Sequence, residues 1–341
     1  MPPASVAPEA TAGSGTRASA ELTVIRTPHW GRWLAAAVSL VALASLVGSL
    51  ARNDNLRWDV VGAYLFTDLV FEGLLTTLWL TVGAMALGLV LGVLLAVMRL
   101  SRNPVLFGLS ALFVWLFRGT PLLVQIIFWG YAGALYQQLI VGIPFTDVVL
   151  FQADTNTLLT PVVAALLALA LHEAAYASEI VRAGIQSVDA GQTEAAHSLG
   201  MRPALTMRRV VLPQAMRVII PPMGNETINM LKMTALVSVI SAHDLMSNIQ
   251  AVYAQNYQVI PMLVVASLWY LALVSLLSVP QSWLERRYGR GVVRSSAPSL
   301  AQRLLRGTFP VGGRGRATAG TRTAGTQTAA RDEDGKGRSE R

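Results

Sequence analysis

The stretch "LLTTLWLTVGAMALGLVLGVLLAVM", residues 74–98, runs 25 positions without a charged side chain. As a helix rising 1.5 Å per residue it is about 37 Å long, enough to cross the ~30 Å hydrocarbon core of a bilayer. In lipid, a backbone must satisfy its own N–H and C=O groups, and a helix does so within one segment. The stretch therefore reads as a membrane-spanning helix, and the question becomes how many neighbours share its solvent.

Five further segments qualify. Residues 33–50 carry no charge. Residues 105–135 are apolar but hold Arg118 and the break Gly119-Thr120-Pro121. Residues 158–181 are apolar until they meet His172, Glu173 and Glu179. Residues 218–240 are interrupted by Pro221-Pro222, Glu226 and Lys232. Residues 259–284 are apolar again. The chain of 341 residues is 53% hydrophobic and only 13% charged, where a soluble domain carries about 25% charged residues. The mean hydropathy is +0.49. The expected fold is all-α, a polytopic transmembrane helical bundle of about six spans.

Orientation follows from Lys and Arg in the loops, which are retained on the cytoplasmic side. With the N-terminus inside, the inside loops hold Arg17, Arg26 and Arg32, then Arg99 and Arg102, then Arg182, Arg202, Arg208, Arg209 and Arg217, followed by thirteen in the C-terminal tail. The outside loops hold Arg52 and Arg57 alone. Both termini are thus expected in the cytoplasm of a multi-pass cell-membrane protein. The net charge of +8 is mostly topology and gives no reason to expect a nucleic-acid partner. Residues 1–31 and 285–341 are expected to be disordered cytoplasmic tails, poor in apolar residues able to offset ordering entropy. Residues 33–50 read as a retained helix, since the run is longer than a signal-peptide core. Residues 51–71 form an external loop, and 72–284 the transmembrane domain.

With no cysteine, disulfides and thiolate metal sites are excluded. The stretch "LHEAAYASEIVRAG", residues 171–184, begins like the zinc motif H-E-x-x-H, but Tyr176 stands where the second histidine belongs. We expect no metal site and no cofactor. His172, Tyr176 and Glu179 fall at i, i+4 and i+7 on one helical face, with Glu173 about 100° away. Charges at mid-bilayer cost roughly 2.5–3.5 kcal/mol on insertion scales, so they face an interior cavity or each other. Asn229 and Lys232, with Glu226 beside them, make a second polar face, and Lys232 is a candidate counter-ion. Together with Arg118 these residues are candidates to line a pathway for a zwitterionic solute. Carboxylates would take its ammonium group, and Lys232 or Arg118 its carboxylate. Glu179 and Arg182 are assigned structural or gating roles. Gly88 and Gly92 form a G-x-x-x-G that allows close helix approach.

The longest inside loop, 182–217, contains "GQTEAAHSLGMRPALTMRRVVLPQAMR" (191–217). Its spacing predicts a short helix, a left-handed stop at Gly200, and a second amphipathic helix ending at Pro213. Such a hairpin is either a protein contact surface or lies on lipid.

Glu194-Ala195-Ala196, three residues, Gly200, nine residues, then Val210-Val211-Leu212-Pro213 resembles the EAA loop of ABC importer permeases, E-A-A-x3-G-x9-I-x-L-P, with valine in place of the isoleucine. "FRGTPLLVQ" (117–125), "EIVRAGI" (179–185) and "KMTALVSVI" (232–240) are similar to the subfamily importing polar amino acids. The resemblance covers roughly residues 70–285 and implies a five-helix importer core, to which 33–50 adds one N-terminal helix. It implies that loop 186–213, through Gly191, Glu194, Ala195, Ala196, Gly200, Leu212 and Pro213, docks on a cytoplasmic ATPase, with Glu194 capping or pairing at the joint. The chain carries no G-x-x-x-x-G-K-[ST] loop, so ATP hydrolysis is expected on a separate subunit and this chain is not itself an enzyme. The implied partners are ATPase subunits, an extracytoplasmic solute-binding protein and a second permease, identical or related. The alternative is a secondary transporter or channel for small polar solutes.

Overall fold

A computed structural model describes residues 30–142 and 149–288. Residues 1–29, 143–148 and 289–341, and with them most of the expected disordered tails, lie outside the described residues; the inner ends of those tails, 30–31 and 285–288, are helical, continuing the apolar runs they adjoin.

The element order is α1 (Trp30–Ala51), a short 3-10 turn (Asp54–Leu56), α2 (Trp58–Tyr64), α3 (Asp68–Arg99), α4 (Pro104–Gly119), α5 (Leu122–Gly130) and α6 (Ala132–Leu135). Then come β1 (Gln138–Gly142), β2 (Val149–Asp154), α7 (Thr155–Leu158), α8 (Pro161–Gln186), α9 (Ala190–Ser198) and α10 (Pro203–Thr206). After a single π-helical turn (Met207–Val211) follow α11 (Leu212–Met233), a 3-10 stretch (Thr234–Ile240), α12 (Leu245–Asn256) and α13 (Val259–Tyr288).

Among the described residues, four helices are long and apolar enough to cross a bilayer: α1 over Trp33–Ala51, α3, α8 and α13. The expected span 105–135 is the pair α4 and α5, bent by 101° at Thr120-Pro121. As a single crossing this pair makes a fifth span. The expected span 218–240 differs most. It is α11 plus the 3-10 stretch, and Glu226, Asn229 and Lys232 keep α11 below the apolarity of a lipid-facing span. Pro221 and Pro222 were expected to interrupt it, yet α11 runs through both. The Nε2 of Gln281 on α13 donates to the Pro221 carbonyl at 2.9 Å, securing the helix at this point. The hairpin β1–β2, antiparallel with an irregularity at Val141/Gly142, is an exception to an all-α chain.

The bundle is built on α3 against α8. Thr160 caps α8, its hydroxyl accepting from Val163 N, and Pro161 occupies the first turn, where a missing N–H is harmless. The buried face of α8 is mostly alanine, from Ala164 to Ala177. Opposite it, Gly88 and Gly92 let the backbones close. A Cβ on Gly92 would stand 2.6 Å from the Cβ of Ala177. The G-x-x-x-G of α3 is thus an interface within this chain. One core cluster joins Leu80, Ile126, Leu169, Met230 and Val237 from α3, α5, α8, α11 and the 3-10 stretch. A second joins Val61, Val70, Leu245, Ile249, Met262 and Val265 across α2, α3, α12 and α13. Ala96, Val181, Ala215 and Ile219 form a third, where α8 leads into the loop and α11 returns from it.

Candidate functional site

The loop between α8 and α11 has a shape dictated by its residues. Asp189 caps α9, its side chain accepting from Gly191 N at 2.8 Å. Glu194, expected to cap or pair at the joint with an ATPase, has an exposed side chain. Of the E-A-A triplet only Ala196 is buried, while Glu194 and Ala195 face outward. Gly200 stands at φ +76°, the left-handed stop its position predicts. The Met201 N–H bonds back to the Ala196 carbonyl at 3.1 Å, closing the end of the helix. Leu199, beside the turn, is 83% exposed.

The second half of the loop corrects one expectation. Pro213 does not end a helix. It lies in the first turn of α11, and the chain passes from α10 through Met207–Val211 into α11 without a break. A proline N has no hydrogen to offer the carbonyl four residues back, and the widened turn just before it absorbs that loss. Gln214 Nε2 donates to the Val210 carbonyl at 2.9 Å, satisfying one of the acceptors there.

Of the polar residues within the spans, the structure gathers two groups. His172 and Tyr176 stack on α8 with ring centroids 4.9 Å apart. The Arg118 guanidinium, at the end of α4, lies over the Tyr176 ring at 5.0 Å. Glu173 is 1% exposed, packed against Gly88, and its Oε1 has no hydrogen-bond partner. His172 Nδ1 is likewise buried without one. Glu226 is half-buried on α11, one turn from Asn229. The second group is local: Arg182 donates through Nε to Glu179 at 3.1 Å and through Nη1 to Gln186 at 2.8 Å, all on α8.

Lys232 is not the counter-ion it was expected to be. Its side chain is exposed, and among the described residues the ion pairs within 4.0 Å are Arg57–Asp59 and Glu179–Arg182. Sequence reasoning also passed over two buried amides. Gln281 holds Pro221 and Glu285, and Gln125 holds the bend between α4 and α5. Each lies near a proline, the signal that would have found them.

With this geometry, residues 88–290 match the family described as binding-protein-dependent transport system inner membrane component. The arginine transport system permease protein ArgU of Corynebacterium glutamicum is 45% identical over 268 residues, 78% of this chain and 83% of that protein. The putative glutamine transport system permease protein GlnP of Rickettsia bellii is 36% identical over 218 residues, 64% of this chain and 92% of that protein. Among solved structures, an amino acid ABC transporter with histidines aligns at 36% identity and a TM-score of 0.54, over 64% of this chain and 94% of that one. The chain belongs to the family of inner membrane components of binding-protein-dependent transport systems. It is a multi-pass membrane protein, a permease subunit of an ABC importer.

Proposed function

We propose that this permease carries a polar amino acid inward, drawing on ATP hydrolysed by a separate cytoplasmic subunit that docks on α9 and Gly200. The observation that carries the reading is the loop itself: a capped short helix with an outward Glu194 and Ala195, closed by a left-handed Gly200 beside an exposed Leu199. The named solutes of the relatives, arginine and glutamine, support a polar amino acid, with L-arginine the first to test. An external solute-binding protein delivers the solute, and a second permease, identical or related, completes the pathway. Both termini lie in the cytoplasm, as the arginine distribution supports. The transmembrane domain spans 72–284, with 33–50 as an added helix.

Within the domain, Arg118, His172, Glu173, Tyr176, Glu226, Asn229 and Lys232 line the solute's route, and Glu179 with Arg182 stiffens the inner end of α8. Gly191, Leu212 and Pro213 frame the docking loop. The test is co-purification of wild type and Gly200→Asp from solubilised membranes. An ATPase that accompanies the wild type and is lost or uncoupled from uptake in the mutant is expected. A wild type that never brings an ATPase, or a mutant with normal uptake, overturns the docking role.

A further inference from the structure

We propose that Gln125 is a positioning residue that sets the α4–α5 bend and so holds Arg118 over the polar face of α8. The last four carbonyls of a helix have no partner within it. Here the shortage is aggravated, because Pro121 has no N–H for the Phe117 carbonyl four residues earlier. Irregular backbone at membrane depth persists only where something else satisfies it.

Two side chains do so. Thr120 Oγ1 donates to the Leu116 carbonyl at 2.9 Å. Gln125 Nε2, reaching back across the break, lies 2.9 Å from the Phe117 carbonyl, 3.1 Å from the Thr120 carbonyl and 2.9 Å from Thr120 Oγ1. One NH₂ group thus serves the carbonyl that proline orphaned, and also the residue that turns the chain. The orientation of the amide is not arbitrary. Flipped, its oxygen would face carbonyl oxygens, and an amide oxygen carries no hydrogen to donate to them. Gln125 is 6% exposed, so no water replaces it cheaply.

The bend is anchored on both sides. Ser110 Oγ on α4 donates to the Leu95 carbonyl of α3 at 2.8 Å, and Leu122 and Ile126 of α5 are buried in the core with Leu169 of α8. Arg118 sits two residues before the break, at the last turn of α4, and its reach to Tyr176 depends on where that turn ends. This inference concerns the geometry of the chain and holds whatever solute is carried.

The natural chain has no cysteine, so an introduced pair is the sole thiol chemistry present. The experiment places Arg118→Cys and Tyr176→Cys in one chain and measures their cross-linking in membranes by a short bismethanethiosulfonate reagent. The rate is compared with Gln125 intact, as Gln125→Met, which keeps the length and removes the donors, and as Gln125→His, which keeps an N–H. We expect a fall of about tenfold in Gln125→Met and recovery of most of the rate in Gln125→His. An equal rate in Gln125→Met overturns the proposal. So does an equal fall in the methionine and histidine variants, which marks Gln125 as packing alone. Should Gln125→Met not reach the membrane, Gln125→Leu is read in its place with the same expected fall.

Discussion

Gly88 on α3 and Glu173 on α8 are in direct backbone-level contact: a Cβ on Gly88 would stand 2.6 Å from both the Cβ and the Cγ of Glu173. These atoms are close to the α8 backbone and cannot swing aside. A buried carboxylate is thereby wedged between two helices by a residue that has no side chain.

Gly88→Ala should therefore destabilise the protein by about 1–3 kcal/mol, the usual range for overpacking. Gly108→Ala on α4, with nothing within 4 Å of its Cβ, should be neutral or slightly stabilising. Thermal unfolding in detergent compares the two. Equal midpoints would show that α3 and α8 tolerate the extra methyl and are less closely packed.

At Gly200 the opposite test applies, because there is open space but a left-handed backbone. Short polar residues tolerate that conformation best, and other L-residues lose roughly 1–2 kcal/mol there. Uptake should fall least in Gly200→Asn, more in Gly200→Ala and most in Gly200→Val. Equal uptake in all three would remove the conformational role.

Glu173→Gln keeps the size and removes the ability to ionise. If Glu173 meets the solute, Km for L-arginine uptake should rise about tenfold, equivalent to ~1.4 kcal/mol, while the amount of co-purified ATPase stays the same. Transport kinetics in vesicles decide it, and an unchanged Km with normal ATPase recovery ends the assignment.

Gly224 on α11 accepts the Gln281 side chain in the place where a Cβ would be. Gly224→Ala must displace Gln281 and with it the hydrogen bond to Pro221. A loss of about 1 kcal/mol is expected for that bond. In Gly224→Ala combined with Gln281→Ala, the two losses should be clearly less than additive, since the clash is relieved. Strict additivity in denaturation would mean that the two residues do not share this contact.

Asp244, outside the spans, caps α12, its carboxylate accepting from Met246 N at 3.0 Å and Ser247 N at 3.1 Å. Burial nonetheless pushes its carboxyl above the ordinary carboxylate range, outweighing the hydrogen bonds from Ser247 and Met246 that act the other way. Raised in the folded state, its contribution is fully present below the unfolded value of about 4 and declines as pH climbs through the folded value. Asp244→Asn should flatten that part of the stability profile, as followed by thermal unfolding from pH 4 upward. A profile identical to wild type refutes the role.

The spans at 74–98 and 259–284 were legible because nothing interrupts their apolarity. The loop was legible at Gly200, where one residue type suits one backbone conformation. Pro213 misled because a proline reads as a stop from the C-terminal side and as a start from the N-terminal side. The choice was made by a π-helical turn that leaves no residue-type signature. The strands β1 and β2 are short, partly apolar runs with few β-branched residues, which sequence alone does not separate from helix. Lys232 was assigned to the carboxylates by sign of charge, but sequence does not give the azimuth that leaves its side chain exposed and away from them. Gln125 was passed over because Pro121 announces an orphaned carbonyl at Phe117 but not which side chain, here one eight residues away, reaches back to it.

The turn at Met207–Val211 has a geometric consequence for everything before it. One residue more than an α-helical turn amounts to about 100° of rotation about the axis. The wide turn is therefore a phase shift. It leaves the side chains of α11 downstream on their own faces, and swings α10 and α9 around the bundle to a new bearing. The compass direction in which Glu194 and Ala195 meet the cytoplasm is set by a single surplus residue more than ten positions further on, in the turn against which α9 packs.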